Sequence, residues 1–403
     1  MLETNSVGGL SRSRLGRMHD VMAGHVEAGD MPGLVTLVSR RGETHVDAIG
    51  AQAFGDAEPM RRDTIFRIAS LTKPVTAVAA MILVEECKLR LDDPVDRWLP
   101  ELANRKVLRA IDASLGDTVP AKRAITLRDL LTFRLGFGIV MVFPERYPIQ
   151  KAIGEAGLAP GPVFPSFPPD ELMRRYGSLP LIHQPGERWL YNSGSEILGV
   201  LIARVAGTTL GEFLRDRIFA PLGMKDTAFN VPEAKRHRFA TCYIKDHATQ
   251  KLNVFDDPVT GKFAKPPAFE NGSGGLVSTA DDFNAFAQMM LNGGRFGNER
   301  ILSRPSVETM TTDQITPEQK QGSEIFFGEN RGWGMGLSVF TKRDDLYNVP
   351  GRFGWDGGYG TSWYSDPREQ LTGILMTQRL MDSPQPPRAF VDFWTSVYQA
   401  IDD

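Results

Sequence analysis

Ser70 and Lys73 stand three residues apart in the stretch FRIASLTKPVTA, where a strand-like segment gives way to a helical one. On a helix, residues at this spacing share a face, about 5–6 Å apart at Cβ. A serine hydroxyl becomes a nucleophile when a neighbouring base takes its proton, and burial can lower the pKa of a lysine until it serves as that base. The alternative is a helix N-cap serine followed by a surface lysine, because SxxK alone is a weak motif.

Tyr191 stands in PGERWLYNSGSE, in a short turn between an extended segment and a helix. Its ring could simply anchor that turn. Its phenolate, stabilised by a nearby cation, could instead take the serine proton. Because free tyrosine titrates near pH ~10, this role needs an ammonium such as that of Lys73 to lower the phenol pKa.

Two consecutive glycines, Gly357 and Gly358, follow Trp355 in the stretch FGWDGGYGTSW. Glycines before a strand let the backbone approach a ligand closely. An exposed N–H at this point, together with the N–H of Ser70, would form an oxyanion hole for a tetrahedral intermediate. The alternative is a glycine-rich hairpin that binds nothing.

The elements that must position these residues are read from periodicity and capping. Two β-rich runs broken at Arg41-Gly42 predict an antiparallel hairpin. A helix is expected after an N-cap at Ser278 or Thr279, with aspartates in its first turn. The C-terminal third returns to strands and ends on an amphipathic helix.

Strands at both ends of the chain and helices between them predict an α+β fold. Residues 1–91 and 271–403 should form one discontinuous α/β domain around an antiparallel sheet flanked by helices. Residues 92–270 should form a second, mostly helical domain, with an irregular segment over 137–172 that is rich in Pro and Gly. The cleft between the domains is the expected ligand site.

The composition is that of an ordinary globular protein of 403 residues, with 41% hydrophobic and 24% charged residues and a net charge of -3. This charge predicts no nucleic-acid partner. HExxH, CxxC and GxGxxG spacings are missing, so we expect neither a metal nor another cofactor. The sequence shows neither a signal-peptide h-region nor a membrane span, which predicts a cytoplasmic protein without membrane association.

The same motifs, taken in order, resemble the serine β-lactamase and penicillin-binding-protein superfamily, on its class C β-lactamase side. More narrowly, the chain resembles the family VIII carboxylesterases. The resemblance covers nearly the whole chain and is carried by the stretches FRIASLTKPVTA, LRLDDPVDRWLPEL, ITLRDLLTFRLGF, PGERWLYNSGSEILGV and GWDGGYGTSWYSDP.

The resemblance implies a role for each matched residue. Ser70 is the implied nucleophile, and Lys73 and Tyr191 are the implied general-base pair. The backbone N–H groups of Ser70 and Gly358 are the implied oxyanion hole. The implied fold is β-lactamase-like.

Two departures from the β-lactamase pattern bear on the substrate. The Tyr-x-Asn motif reads Tyr191-Asn192-Ser193 here, and Lys-Thr-Gly reads Trp355-Asp356-Gly357. Both changes remove polar recognition of an anionic substrate, which favours neutral esters. The residues expected to line the substrate pocket are Trp355, Gly357, Tyr359, Phe137, Phe143, Phe164 and Ser193.

The leading hypothesis is therefore a serine carboxylesterase that hydrolyses short- to medium-chain acyl esters of small molecules. The alternatives are a β-lactamase or DD-peptidase, an acyltransferase that uses the same acyl-enzyme, and a non-catalytic binding protein. Intact Ser70, Lys73 and Tyr191 speak against the last of these. The oligomeric state is left open.

Overall fold

A seven-stranded antiparallel sheet lies at the centre of the computed structural model, which describes residues 6–159 and 161–403. Its strand order is β13-β14-β15-β16-β17-β3-β4, so the N-terminal hairpin pairs with the last strand of the chain. This confirms the predicted antiparallel sheet built from both ends. The strands are β1 Ser6–Val7, β2 Leu10–Ser11, β3 Gly33–Arg40, β4 Glu43–Gly50, β5 Phe66–Arg67, β6 Lys106–Leu108, β7 Thr118–Pro120, β8 Cys242–Lys245, β9 Leu252–Asp256, β10 Val277–Ser278, β11 Arg295–Phe296, β12 Glu299–Arg300, β13 Arg331–Trp333, β14 Ser338–Phe340, β15 Phe353–Gly357, β16 Thr361–Asp366 and β17 Leu371–Thr377.

Helices cover both faces of the sheet, and with it they form the predicted α+β fold. One face packs on α1 and α13, and the other packs on α9 and on the core that surrounds α2 and α6. The helices are α1 Arg12–Glu27, α2 Thr72–Glu85, α3 Leu127–Leu131, α4 Pro148–Glu155, α5 Pro169–Ser178, α6 Ser193–Ala206, α7 Leu210–Leu214, α8 Ala220–Leu222, α9 Ala280–Leu291, α10 Arg304–Met310, α11 Pro317–Lys320, α12 Glu324–Phe327 and α13 Arg388–Gln399. Across the described ranges no single helix is long and apolar enough to cross a membrane, and one pair bent by 79°, Ser193–Ala206 with Leu210–Leu222, passes by length and composition only.

Helix α2 is buried on all sides, and this burial decides the chemistry of its first turn. Every residue from Thr72 to Leu83 is buried, including Lys73. A helix that is apolar all round belongs in a core, and the small Ala79 and Ala80 let neighbouring elements approach it closely. Lys73 therefore has no route to solvent along its own helix.

Local signals confirm several sequence predictions. The hairpin turn falls at Arg41 and Gly42, which have φ angles of 50° and 83°, as the β3–β4 connection requires. Thr279 is the N-cap of α9, and its hydroxyl accepts the N–H of Asp282 at 3.2 Å. Residues 137–159 and 161–172 are irregular apart from α4 and the start of α5.

The middle of the chain contains helices α3 to α8 together with two small hairpins, β6–β7 and β8–β9. One apolar core runs from the sheet into this region, joining Val35 and Ile374 to Leu130 and Leu198. The domain boundaries at 91/92 and 270/271 therefore stay a prediction.

A buried ion pair anchors the strand that leads to Ser70. The Arg67 guanidinium on β5 donates from Nε to Asp256 Oδ2 at 2.6 Å and from Nη1 to the Ala240 carbonyl at 2.5 Å. Both charged side chains are at most 3% exposed. Neither charge can be left alone without a large desolvation cost.

Asp256→Ala should lower the free energy of unfolding by about 3–5 kcal/mol, because it leaves the Arg67 charge buried and unpaired. Urea denaturation followed by circular dichroism measures the change. Asp93→Ala is the matched control, since it breaks an exposed pair with Arg90 at 3.4 Å and should cost less than about 1 kcal/mol. Equal losses in the two variants would contradict the anchoring role of Asp256.

Candidate active site

Ser70 lies in a single 3₁₀ turn, Ala69–Leu71, that runs directly into α2. The residue before it, Ala69, has a φ of 44°, a left-handed conformation that costs energy for any residue except glycine. Lys73 Nζ lies 2.8 Å from Ser70 Oγ and donates to the Ser273 carbonyl oxygen at 2.7 Å. The amine is thus fixed between the serine hydroxyl and a backbone acceptor.

The Lys73 amine is held near the balance point between its charged and neutral forms. Its side chain is 1% exposed. Burial lowers its pKa to about 7, and the carboxylate of Glu196 opposes that shift. At neutral pH a substantial fraction of Lys73 therefore carries a lone pair that can accept a proton.

Tyr191 is the second side chain that contacts the Ser70 hydroxyl. Its hydroxyl donates to Ser70 Oγ at 2.9 Å and accepts the indole N–H of Trp355 at 2.8 Å. Burial raises the pKa of the Tyr191 phenol, and its hydrogen bonds with Ser70 and Trp355 offset only part of the rise. The phenol is therefore held protonated, with Lys73 Nζ 4.5 Å from the centre of its ring.

Aromatic rings fix the positions of Tyr191 and Trp355. Phe326 of α12 stacks on Tyr191 with the ring centres 5.0 Å apart. Trp333 meets Trp355 edge to face at 4.9 Å. Such pairs add about 0.5–1.5 kcal/mol beyond their buried area, and they leave the Tyr191 hydroxyl little freedom.

The turn after β15 supplies the proposed second oxyanion donor. The Gly357 carbonyl accepts the N–H of Gly360 at 2.9 Å, inside the turn. Since the carbonyl and N–H of a trans peptide point in opposite directions, the N–H of Gly358 points out of the turn. The turn lies against the segment before Ser70, because Thr361 Oγ1 donates to the Ile68 carbonyl at 3.1 Å.

A cleft of about 970 Å³ opens beside these groups. The predicted residues that line it are Ser70, Tyr191, Trp355, Gly358, Tyr359, Phe143 and Phe164. Phe143 stands at its mouth with 67% of its surface exposed. Phe164 packs on Tyr359, with ring centres 5.9 Å apart.

Three predicted lining residues lie elsewhere. Phe137 is 2% exposed and packs edge to face on Tyr176 in a small chamber behind the cleft. Ser193, the first residue of α6, faces the same chamber. Gly357 is packed so tightly that a Cβ there would lie 2.4 Å from the Ile68 carbonyl. Packing against residues distant in sequence decides where all three residues lie. Residue type alone does not predict that packing.

Sequence reasoning missed Glu196, which lies beside Lys73. Its buried carboxylate accepts hydrogen bonds from Asn192 Nδ2 at 2.9 Å and from Asn271 Nδ2 and Ser273 Oγ at 3.3 Å each. The Tyr176 hydroxyl is a fourth donor. The sequence signal that could have identified Glu196 is its charge at the start of the otherwise apolar helical run EILGVLIA. Among the described residues no cluster of three or more His, Cys, Asp or Glu side chains could hold a metal ion.

Comparison with known proteins identifies the family. The family model described as Beta-lactamase matches residues 18–391. Protein Rv1367c of Mycobacterium tuberculosis is 39% identical over 364 residues, and esterase EstB of Burkholderia gladioli is 30% identical over 381 residues; each alignment covers 88% of both chains. The solved structure of EstCE1, described as a hydrolase with promiscuous acyltransferase activity, has a TM-score of 0.80 at 24% identity and covers 96% of this chain and 99% of its own.

The chain belongs to the β-lactamase family. Its likeness to esterase EstB and to the EstCE1 fold confirms the resemblance to the family VIII carboxylesterases within the serine β-lactamase and penicillin-binding-protein superfamily. It is accordingly a member of a β-lactamase-like hydrolase family whose esterases are serine hydrolases.

The two adjacent glycines of the oxyanion turn should respond differently to alanine. At Gly358 a Cβ would meet nothing within 4 Å, so Gly358→Ala keeps the N–H and the turn. At Gly357 a Cβ would lie 2.1 Å from Thr361 Oγ1, so Gly357→Ala must push the turn away from Ser70 and should cost about 1–3 kcal/mol.

The measurement is the rate at which a fluorophosphonate probe labels Ser70, together with the melting temperature. The labelling rate of Gly358→Ala should stay within about threefold of the wild-type rate. The labelling rate of Gly357→Ala should be at least tenfold lower, which corresponds to a rise of about 1.4 kcal/mol in the activation free energy. Equal rates in the two variants would show that the turn does not form part of the site.

Proposed function

We propose that this protein is a serine carboxylesterase that hydrolyses short- to medium-chain acyl esters through an acyl-enzyme on Ser70. The observation that carries the proposal is the pair of contacts to Ser70 Oγ, from Lys73 Nζ at 2.8 Å and from the Tyr191 hydroxyl at 2.9 Å, beside an open cleft. The relative EstB, an esterase, and the EstCE1 hydrolase support the same reaction class.

In the proposed acylation, the neutral Lys73 amine accepts the hydroxyl proton of Ser70 while Oγ bonds to the ester carbonyl carbon. The carbonyl electron pair moves to oxygen, and the N–H groups of Ser70 and Gly358 stabilise the oxyanion. When the carbonyl re-forms, the alcohol oxygen leaves and takes the proton of Tyr191. The Lys73 ammonium then returns a proton to Tyr191.

In this proposal the two members of the predicted base pair divide the work. Lys73 is the base, because burial brings its pKa to about 7. Tyr191 is the acid, because burial raises its pKa and keeps the phenol protonated. Deacylation reverses the steps with water in place of the alcohol. Tyr191 relays the water proton to Lys73, and Lys73 returns a proton to Ser70 as the acyl bond breaks.

The walls of the cleft favour neutral substrates. The Trp355 indole, packed against Trp333 and bonded to Tyr191, occupies the position where β-lactamases carry the lysine of Lys-Thr-Gly. Without that cation, a substrate carboxylate loses a charge-assisted contact of about 1.5–3 kcal/mol. Ser193 occupies the position of the asparagine in the Tyr-x-Asn motif, and the amide of the neighbouring Asn192 donates to Glu196.

Acyl transfer is the second candidate, because a cleft of about 970 Å³ has room for an acceptor alcohol as well as an acyl chain. An alcohol that replaced water at the acyl-enzyme would use the same proton relay. Added butanol or glycerol, with the ester product measured by mass spectrometry, distinguishes transfer from hydrolysis. A constant free-acid yield at rising alcohol concentration would exclude it.

The substrate class is tested with p-nitrophenyl acetate, butyrate, hexanoate and palmitate, and with nitrocefin. We expect kcat/KM to be highest between the acetyl and hexanoyl esters and lower for nitrocefin. Ser70→Ala should reduce ester turnover at least about 10³-fold while preserving the circular dichroism spectrum. Ser178→Ala, which removes an exposed hydroxyl bonded only to the Arg175 carbonyl, is the control.

Three results would contradict the proposed function. A phosphonate adduct on a peptide other than that of Ser70 would reassign the nucleophile. A preference for palmitate would show that the acyl site is not restricted to short chains. A nitrocefin kcat/KM equal to or above that of the best ester would favour the β-lactamase alternative.

The pH dependence tests the role of Lys73. Only the neutral amine accepts the serine proton, so kcat/KM should rise with pH, with a midpoint near 7, and fall away as the pH drops below it. Lys151→Ala, which removes an exposed amine, should keep this midpoint. A profile that is flat between pH 6 and 9, or one that rises only near the pKa of free lysine, would exclude Lys73 as the base.

A further inference from the structure

The carboxylate of Glu196 is the most fully bonded group near Ser70 that the proposed mechanism leaves unused. It lies in the first turn of α6, 4% exposed, and an apolar stretch follows it. Four donors from three parts of the chain point at its two oxygens: the hydroxyls of Tyr176 and Ser273 and the amides of Asn192 and Asn271. A set made only of donors suits an ionised carboxylate, which can only accept.

Two of these donors connect Glu196 to the groups that contact Ser70. The Ser273 hydroxyl donates to Glu196 at 3.3 Å, and the Ser273 carbonyl accepts from Lys73 Nζ at 2.7 Å. Ser273 therefore links the Glu196 carboxylate to the Lys73 amine. Asn192 gives its amide to Glu196 at 2.9 Å and directly follows Tyr191. With a φ of 92°, Asn192 holds a conformation that an asparagine adopts only when its surroundings impose it.

The titratable groups that act on Glu196 come from two elements. Lys73 acts on it from α2 and Tyr176 from α5, and Lys73 Nζ in turn lies 4.5 Å from the centre of the Tyr191 ring. Lys73 is the charged group of opposite sign among the described residues that act on it. Asp356 acts on Tyr191 from β15. Burial raises the pKa of Glu196, and the hydrogen bonds from its donors together with the charge of Lys73 oppose that rise. When both groups are ionised, Glu196 and Lys73 form a buried pair of opposite charge, joined through Ser273.

Resting on the proposed function, we propose that Glu196 is a positioning residue. It holds Lys73 and the Tyr191 turn against Ser70, and its negative charge favours the ammonium form of Lys73. The charge of Glu196 sets the pH at which Lys73 loses its proton and can act as the base. The hydrogen bonds of Glu196 fix the position of Lys73 and Tyr191 relative to Ser70.

The experiment is the pH profile of kcat/KM for p-nitrophenyl butyrate, compared with the pH profile of Ser70 labelling by a phosphonate probe. Glu196→Gln removes the charge and keeps the shape. Its acid limb should move to lower pH by about one unit, because Lys73 loses the charge that favours its protonated form. Glu196→Asp keeps the charge, so its acid limb should stay at the wild-type midpoint even if its rate falls.

Asp129→Asn is the matched structural control. Asp129 is another buried carboxylate; it accepts from the Thr126 N–H and the Arg123 guanidinium, and it contacts neither Ser70 nor Lys73. Its substitution should lower the melting temperature and leave the acid limb unchanged. If Glu196→Gln does not fold, Tyr176→Phe gives the test: losing a donor lowers the ionised fraction of Glu196, so the limb moves in the same direction by a smaller amount.

An acid limb of Glu196→Gln that stays at the wild-type midpoint would overturn the proposal and leave Glu196 a purely structural residue. A shift to higher pH would also overturn it. Wild-type protein that neither hydrolyses esters nor labels at Ser70 would instead refute the proposed function. Active wild-type protein with an unchanged Glu196→Gln profile refutes only the role given to Glu196.

Discussion

Burial of one amine is the constraint on which the site depends. Lys73 is enclosed because α2 is apolar all round and lies in the core, yet its Nζ must satisfy its hydrogen bonds, and it finds Ser70 and the Ser273 carbonyl. Removing solvent brings its pKa to about 7, which is the property that the proposed role of Lys73 as a base at neutral pH requires. A surface lysine at the same spacing from Ser70 would stay charged and could not accept the proton.

The rest of the structure brings distant segments to that amine. Ser273 is 200 residues from Lys73 in the sequence, and Tyr191 is 121 residues from Ser70. Ala69 and Asn192 both have positive φ angles, and they directly precede Ser70 and directly follow Tyr191, so the backbone is strained next to the proposed nucleophile and acid. The aromatic wall around Tyr191 and Trp355 supplies packing energy that can offset this strain, and it also turns an apolar surface toward the substrate.

Sequence signals correctly predicted those features that depend only on interactions between residues close together in the chain. The hairpin turn at Arg41 and Gly42, the N-cap at Thr279 and the spacing of Ser70 and Lys73 all depend on residues a few positions apart. The predictions for Phe137 and Ser193 placed both residues in the cleft, whereas packing against Tyr176 and the start of α6 directs them into the chamber behind it. Glu196 was missed because its four donors come together only in the folded chain, and a single acid on a helix does not reveal them.

The state of Lys73 can be observed directly by nuclear magnetic resonance of protein labelled with ¹³C at lysine Cε. The account predicts one lysine resonance that titrates with a midpoint near pH 7 and is absent from Lys73→Met. If every resonance, including that of Lys73, titrated above pH 10, Lys73 would be a cation at neutral pH, and the account of Ser70 activation would be wrong.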